Sequence, residues 1–126
     1  MTTLLVTGAN RGIGFHIARE ALDKGWRVSG SVRTEAHAEQ AAGELGSGFT
    51  PLVFDVTDRA AMSAAAASLG EPLDVLINNA GTIGPPDADQ TTLNMDFDGF
   101  ARTLEINTLA PLAVAQAFLP LIRKSG

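Results

Sequence analysis

The chain alternates short apolar runs with amphipathic stretches of helical period. Residues 3–7 make a β-rich run that Gly8 ends, and Ile13, Ile17, Ala21 and Leu22 then recur at helical spacing over residues 12–24, with Gly25 as the stop. Residues 26–32 read as a second strand. Thr34 suits the cap of a helix reaching about Leu45, which the Gly46-Ser47-Gly48 cluster closes. Residues 49–54 read as a third strand despite Pro51, which points to a sheet edge, where a missing N–H is tolerated. Thr57 is expected to cap an alanine-rich helix ending near Leu69, followed by a fourth strand over 74–78. Residues 81–96, with Pro85-Pro86, are irregular, and 97–124 read as one long apolar helix.

Strand and helix in strict alternation imply parallel strands joined by crossover helices, a doubly wound α/β sheet in a single domain over residues 1–126. Such sheets bind ligands beyond the carboxyl ends of their strands. The first of those ends is "TGANRGIG", residues 7–14. Gly8 permits a sharp exit from the strand. Gly12 lets the backbone approach a diphosphate whose charge rests on free helix N–H groups, and Gly14 lets helix and strand pack closely. A tight turn alone also uses glycine; strand before and helix after favour a dinucleotide.

Composition narrows the partners. Net charge is −5, which disfavours nucleic-acid and anionic membrane surfaces. With no cysteine there is neither a disulfide framework nor a thiolate metal site, and no metal is expected. The start lacks a basic region or apolar signal core, and no uninterrupted apolar stretch approaches a bilayer's width, so a cytoplasmic chain is expected. His16 and His37 lack a metal-ligand or nucleophile constellation and read as ordinary helix residues.

The spacing T-G-x-x-x-G-x-G resembles the short-chain dehydrogenase/reductase family. Three further stretches carry that resemblance: "DVT" at 55–57, "NNAG" at 78–81 and "INTLAP" at 106–111. "LLVTGANRGIG", "DVLINNAG" and "NTLAPL" are similar to a bacterial, C-factor-like subgroup. The resemblance implies a Rossmann-type sheet of strand order 3-2-1-4-5-6-7 and an oxidoreductase interconverting a small-molecule carbonyl and alcohol by hydride transfer. It also implies a cofactor site formed by Thr7, Gly8, Asn10, Arg11, Gly12, Ile13, Gly14, Arg33, Asp55, Val56, Asn79, Ala80 and Gly81. Within it Asp55 accepts from the adenine amino group, unless it serves as a helix cap, and Thr7 ties the first and fourth loops together. After the second strand the chain has Arg33 where an NAD site places an acidic residue. With Arg11 it suits a 2′-phosphate, so NADP(H) is expected and NAD(H) is the alternative, unless both arginines are solvated surface charges.

Asn107 is the expected catalytic position. Pro111, four residues on, has no N–H to give its carbonyl, so the helix should bend there. The resemblance implies that this free carbonyl holds a water of a proton relay. The family's Ser and Tyr-x-x-x-Lys follow a fifth strand, and this chain has no tyrosine. It therefore reads as the N-terminal half of such an enzyme, truncated after about four strands and inactive by itself. Family members often pair through the helix over 97–124, so a homo-oligomer is expected. The unpaired Val75-Leu76-Ile77 edge also invites association. A catalytically silent nucleotide-binding module, or a protein-interaction module on the same fold, are the other readings.

Overall fold

A computed structural model describes residues 1–126. Four parallel strands, β1 (Thr3–Val6), β2 (Arg27–Val32), β3 (Phe49–Val53) and β4 (Val75–Ile77), form a sheet of order β3-β2-β1-β4. Helices α1 (Gly12–Asp23), α2 (Glu35–Leu45) and α3 (Arg59–Leu69) make the crossovers. This is the doubly wound, Rossmann-type sheet expected from the alternation.

The period-two side-chain alternation of a strand builds a core on each face. Leu4 and Val6 point to one side, where Ala18, Ala21, Ala38 and Ala41 of α1 and α2 close over Val28 and Val32. Leu5 points to the other, against Met62 of α3 and Val114 and Phe118 of a later helix. Pro51 lies on β3, which pairs with β2 alone, so the missing N–H falls on the expected edge. The opposite edge is β4, hydrogen-bonded only to β1.

Residues 81–96 are less irregular than expected. A 3-10 turn (Asp87–Asp89) leads into a two-stranded antiparallel ribbon, β5 (Gln90–Thr91) and β6 (Asn94–Met95). Its polar, short-stranded sequence hides it from a periodicity reading. The final helix is continuous but has three parts: α4 (Phe97–Leu104), a π turn (Glu105–Leu109) and α5 (Ala110–Ser125). Pro111 stands in the first turn of α5. Because it cannot donate to Asn107, the ladder shifts by one residue ahead of it: the Ala110 N–H bonds the Glu105 carbonyl, five residues back. The interruption expected at Pro111 thus takes the form of a π turn.

Two sequence expectations are corrected. Asp58, not Thr57, caps α3, its Oδ1 accepting from the Ala61 N–H at 3.0 Å. The Thr57 hydroxyl instead donates to Asp55. Second, the helix Phe97–Ser125 is long and apolar enough by length and composition to cross a membrane. Counting only uninterrupted apolar residues hid this, because Asn107, Thr108 and Gln116 break the run without charging it. Here Ala110, Val114, Phe118 and Leu121 of this helix are buried against the sheet and α3. At its far end Ser125 donates to Asp74, whose other oxygen accepts from the Thr3 N–H at 2.8 Å.

Gly30 of β2 leaves no room for a side chain. A Cβ there would sit 2.4 Å from the Ala9 Cβ and 2.7 Å from the Phe49 ring. Gly30→Ala is therefore expected to destabilise the fold by roughly 1–3 kcal/mol through overpacking. Thermal and urea melts check this; an unchanged midpoint would show that the first loop yields without cost.

Candidate cofactor site

The loop after β1 is held from three sides. Thr7 is fully buried, and its hydroxyl oxygen accepts from the N–H groups of Asn79 and Ala80, both at 3.0 Å. The Asn79 amide returns the tie, donating to the carbonyls of Thr7 at 3.0 Å and Gly8 at 3.2 Å. From β2, Ser31 accepts from the Gly8 N–H on its hydroxyl and from the Ala9 N–H on its carbonyl, each at 3.0 Å. The ends of β1, β2 and β4 are thereby locked in one arrangement.

Glycine is required at distinct points of this loop. Gly8 and Gly12 have φ of +69° and +60°, a region that side-chain-bearing residues rarely adopt. A Cβ on Gly14 would fall 2.1 Å from the Gly8 carbonyl oxygen and 2.5 Å from the Asn79 amide nitrogen. At Gly12 nothing lies within 4 Å of such a Cβ, so the backbone there faces open space.

The N-terminus of α1 opens onto that space. Side chains cap the helices that follow, with Thr34 on α2, Asp58 on α3 and Asp96 on α4. At α1 the N-cap residue is Arg11, which makes no side-chain capping bond. The first-turn N–H groups of a helix have no intrahelical partner and carry its positive dipole end.

Arg11 and Gly12, at that helix end, line a polar cleft of about 510 Å³ across the carboxyl ends of the strands. Of the expected site residues, Gly8, Asn10, Arg11, Gly12, Arg33, Asp55, Val56, Asn79, Ala80 and Gly81 meet there. Thr7 and Gly14 lie behind the loop they support, and both are buried. Ile13 is exposed and lines a separate apolar groove of about 780 Å³ with Ile17, Trp26 and Ile77. That groove is larger, but it holds none of the strand ends' polar groups. Ser31, Arg102 and Ile106, not expected as site residues, also line the cleft, as does His37, which the sequence reads as an ordinary helix residue. Ser31 is buried at a strand end, a position whose polarity was a signal; Arg102 becomes visible only once α4 is folded across the strand ends.

The cleft's charge runs against that of the chain. Three of the nine Lys and Arg residues, Arg11, Arg33 and Arg102, line it, in a protein of net charge −5. None of the three forms a salt bridge; the ion pairs are Lys24–Glu20 and Arg27–Glu71, both elsewhere. The cleft's one carboxylate, Asp55, accepts on a single oxygen from the Thr57 N–H at 2.9 Å and from the Thr57 hydroxyl at 2.7 Å. The Thr57 backbone bond, helped by its hydroxyl and by the charges of Arg102 and Arg33, holds the carboxyl below the usual carboxylate range against partial desolvation.

Asn107 lies beside the cleft, in the π turn. Its side chain is fully engaged with the loop after β4: Oδ1 accepts from the Thr82 N–H at 2.9 Å, and Nδ2 donates to the Thr82 carbonyl at 2.7 Å. Its main-chain carbonyl has proline at the position that would supply its α-helical partner.

Comparison with known proteins agrees with this geometry. The sequence profile of the family described as short chain dehydrogenase matches residues 2–126. Serine 3-dehydrogenase of Agrobacterium fabrum is 35% identical over 129 residues, a match covering 98% of this chain and 50% of that protein. Among solved structures, an actinorhodin polyketide ketoreductase with NADPH superposes at a TM-score of 0.84 with 31% identity, over 94% of this chain and 46% of that one. A 3-oxoacyl-acyl-carrier-protein reductase from Brucella melitensis gives 0.85 with 27% identity, over 98% and 48%. The chain belongs to the short-chain dehydrogenase/reductase family, whose members are NAD(P)-dependent dehydrogenases and reductases. It spans about half the length of the curated relatives it matches.

Asp55 gives a test of the electrostatics. Its folded-state pKa is depressed, so its ionised form stabilises the fold above the ordinary carboxylate range, and that contribution is lost as pH falls through the folded pKa. Thr57→Val leaves the backbone bond and removes the hydroxyl, so Asp55 is expected to titrate at higher pH. Following its side-chain carboxyl carbon by NMR across the acid range checks this; an unmoved midpoint would mean that the hydroxyl contributes nothing.

Proposed function

We propose that the cleft binds NADP(H), with NAD(H) as the weaker alternative, and that these residues form the cofactor-binding half of an oxidoreductase. The full protein would reduce a carbonyl compound or oxidise an alcohol by hydride transfer. One observation carries this reading: α1, which lacks the side-chain cap that α2, α3 and α4 have, opens through a glycine-lined backbone onto a cleft with three arginines that form no salt bridge. A dinucleotide diphosphate supplies the missing acceptors.

In this reading each residue has a part. The amides of Asn10, Arg11, Gly12 and Ile13 face the diphosphate, with Gly8 and Gly14 shaping the loop and Thr7 bracing it. Arg33 and Arg11 hold the 2′-phosphate, for which a planar guanidinium is well suited. Asp55 and Val56 receive the adenine, the free carboxylate oxygen of Asp55 accepting from its amino group. Asn79, Ala80 and Gly81 line the ribose next to the nicotinamide, and the nicotinamide supplies the hydride acceptor or donor when bound. Asn107 spends its side chain on Thr82, which leaves its main-chain carbonyl to hold a water of a proton relay. The family's acid–base residue is a tyrosine, and this chain contains none, so these 126 residues bind cofactor without turning over substrate.

Relatives described as dehydrogenases and reductases of serine, polyketide and acyl-carrier-protein substrates support the reaction class and leave the substrate open. Within the family, the stretches at 4–14, 74–81 and 107–112 support the C-factor-like subgroup. We read the residues as one cytoplasmic domain that self-associates through the face of α4 and α5, where Phe97, Phe100, Leu104 and Leu112 are exposed together.

Calorimetric titration of NADPH and NADH into the 126-residue chain is expected to show binding of both, NADPH the tighter. Arg33→Ala should weaken NADPH by about tenfold, the loss of one charge-assisted contact, and leave NADH nearly unchanged. Binding of neither nucleotide would overturn the reading. For self-association, sedimentation should show Phe100→Glu shifting the chain toward monomer; a wild-type chain that is already monomeric would refute the interface.

A further inference from the structure

Beside its three arginines, Arg11, Arg33 and Arg102, the cleft wall holds a histidine, His37. It is the third residue of α2, and its main-chain N–H donates to the Thr34 hydroxyl at 3.1 Å, which fixes the first turn of the helix. Side chains on a helix lean back toward its N-terminus. The His37 side chain lines the cleft from the first turn of α2, at the positive end of that helix's dipole. It is half-buried, and it forms no salt bridge and no side-chain hydrogen bond. The carboxylates nearest in the sequence and the cleft form no salt bridge with it: Glu35 and Glu39 are solvent-exposed, and Asp55 is bonded to Thr57.

We infer that His37 is a specificity-determining residue of this cleft, donating from its ring to the phosphate monoester on the adenosine 2′ carbon of NADP(H). This rests on the cofactor reading above and adds to it. The arginines supply permanent charge, whereas the ring supplies a short, directional donor on the α2 side of the same phosphate. Discrimination between the two nicotinamide cofactors is then shared by three residues from two loops and a helix.

The structural part of residue 37 is played by its backbone N–H, which any substitution other than proline keeps, so His37 variants retain the Thr34 cap and the fold. NADPH, NADH, adenosine 2′,5′-bisphosphate and AMP are each titrated into the wild-type chain and into His37→Ala, His37→Gln and His37→Arg. His37→Ala should weaken NADPH and the bisphosphate by about five- to tenfold, the loss of one hydrogen bond to a charged group, while NADH and AMP hold their affinities. His37→Gln keeps an N–H donor and should recover part of the loss, and His37→Arg should equal or exceed wild type for the two 2′-phosphorylated ligands. Equal losses for NADPH and NADH, or no change in either, would overturn the assignment while leaving the cofactor reading intact. A wild-type chain that binds none of the four would overturn both.

Discussion

A carbonyl oxygen, an amide nitrogen and a missing methyl group meet at Gly14. The Gly8 carbonyl and the Asn79 side-chain amide occupy the space that any Cβ at this position would need. That closeness brings the start of α1 under the loop, and it lets Asn79 tie the carbonyls of Thr7 and Gly8 to the end of β4. The loop after β1 is thus held at its start by the buried Thr7 hydroxyl and from its neighbours by the side chains of Asn79 and Ser31. Its remaining backbone is free to face the cleft. An intrusion at Gly14 would move the loop, the helix and the β4 end together, and with them every group lining the near wall.

How far the sequence discloses this depends on the range of each interaction. Helix α2 with its Thr34 cap, the edge position of Pro51 and the glycine loop are all local, and the strand–helix alternation orders the sheet. The cap on α3 is also local, yet it is misread. Thr57 and Asp58 are both good caps, and the choice falls to Asp58 only because Thr57 turns back to Asp55, an Asx-type bond that spacing alone does not reveal. The ribbon over 90–95 has strands of two residues, too short for any alternation to register. Arg102 and His37 were least legible as site residues. One is a helix charge about 70 positions from the second strand, the other an ordinary helix histidine; both acquire meaning only from the cleft they share.

Helix 97–125 shows how one substitution-sensitive position serves two structures. Proline at 111 removes a donor, and the ladder responds by widening into a π turn over Glu105–Leu109. That turn contains Asn107, whose amide makes a two-bond pair with the backbone of Thr82. The asparagine is therefore fixed by a loop on the β4 side while its own carbonyl lies in a part of the helix where regular pairing is already relaxed. A regular α-helix through this region would satisfy more backbone bonds, but it would place residue 107 at a different angle to Thr82. The π turn trades ladder regularity for position.

The charge pattern of the cleft follows the same logic at longer range. Arg11, Arg33 and Arg102 come from the first loop, the second loop and α4, so no single segment is strongly basic and the chain stays acidic overall. Like charges held near one another without counter-ions cost stability, and that cost is relieved when a polyanion enters. Asp55 moderates the repulsion from inside the cleft, since its ionised form is favoured by Arg102 and Arg33 as well as by Thr57. It does so without closing an ion pair to any of the three arginines, which leaves their guanidinium groups available. All of these groups, and the Thr7, Ser31 and Asn79 ties that hold them, lie on the first four strand ends and α4.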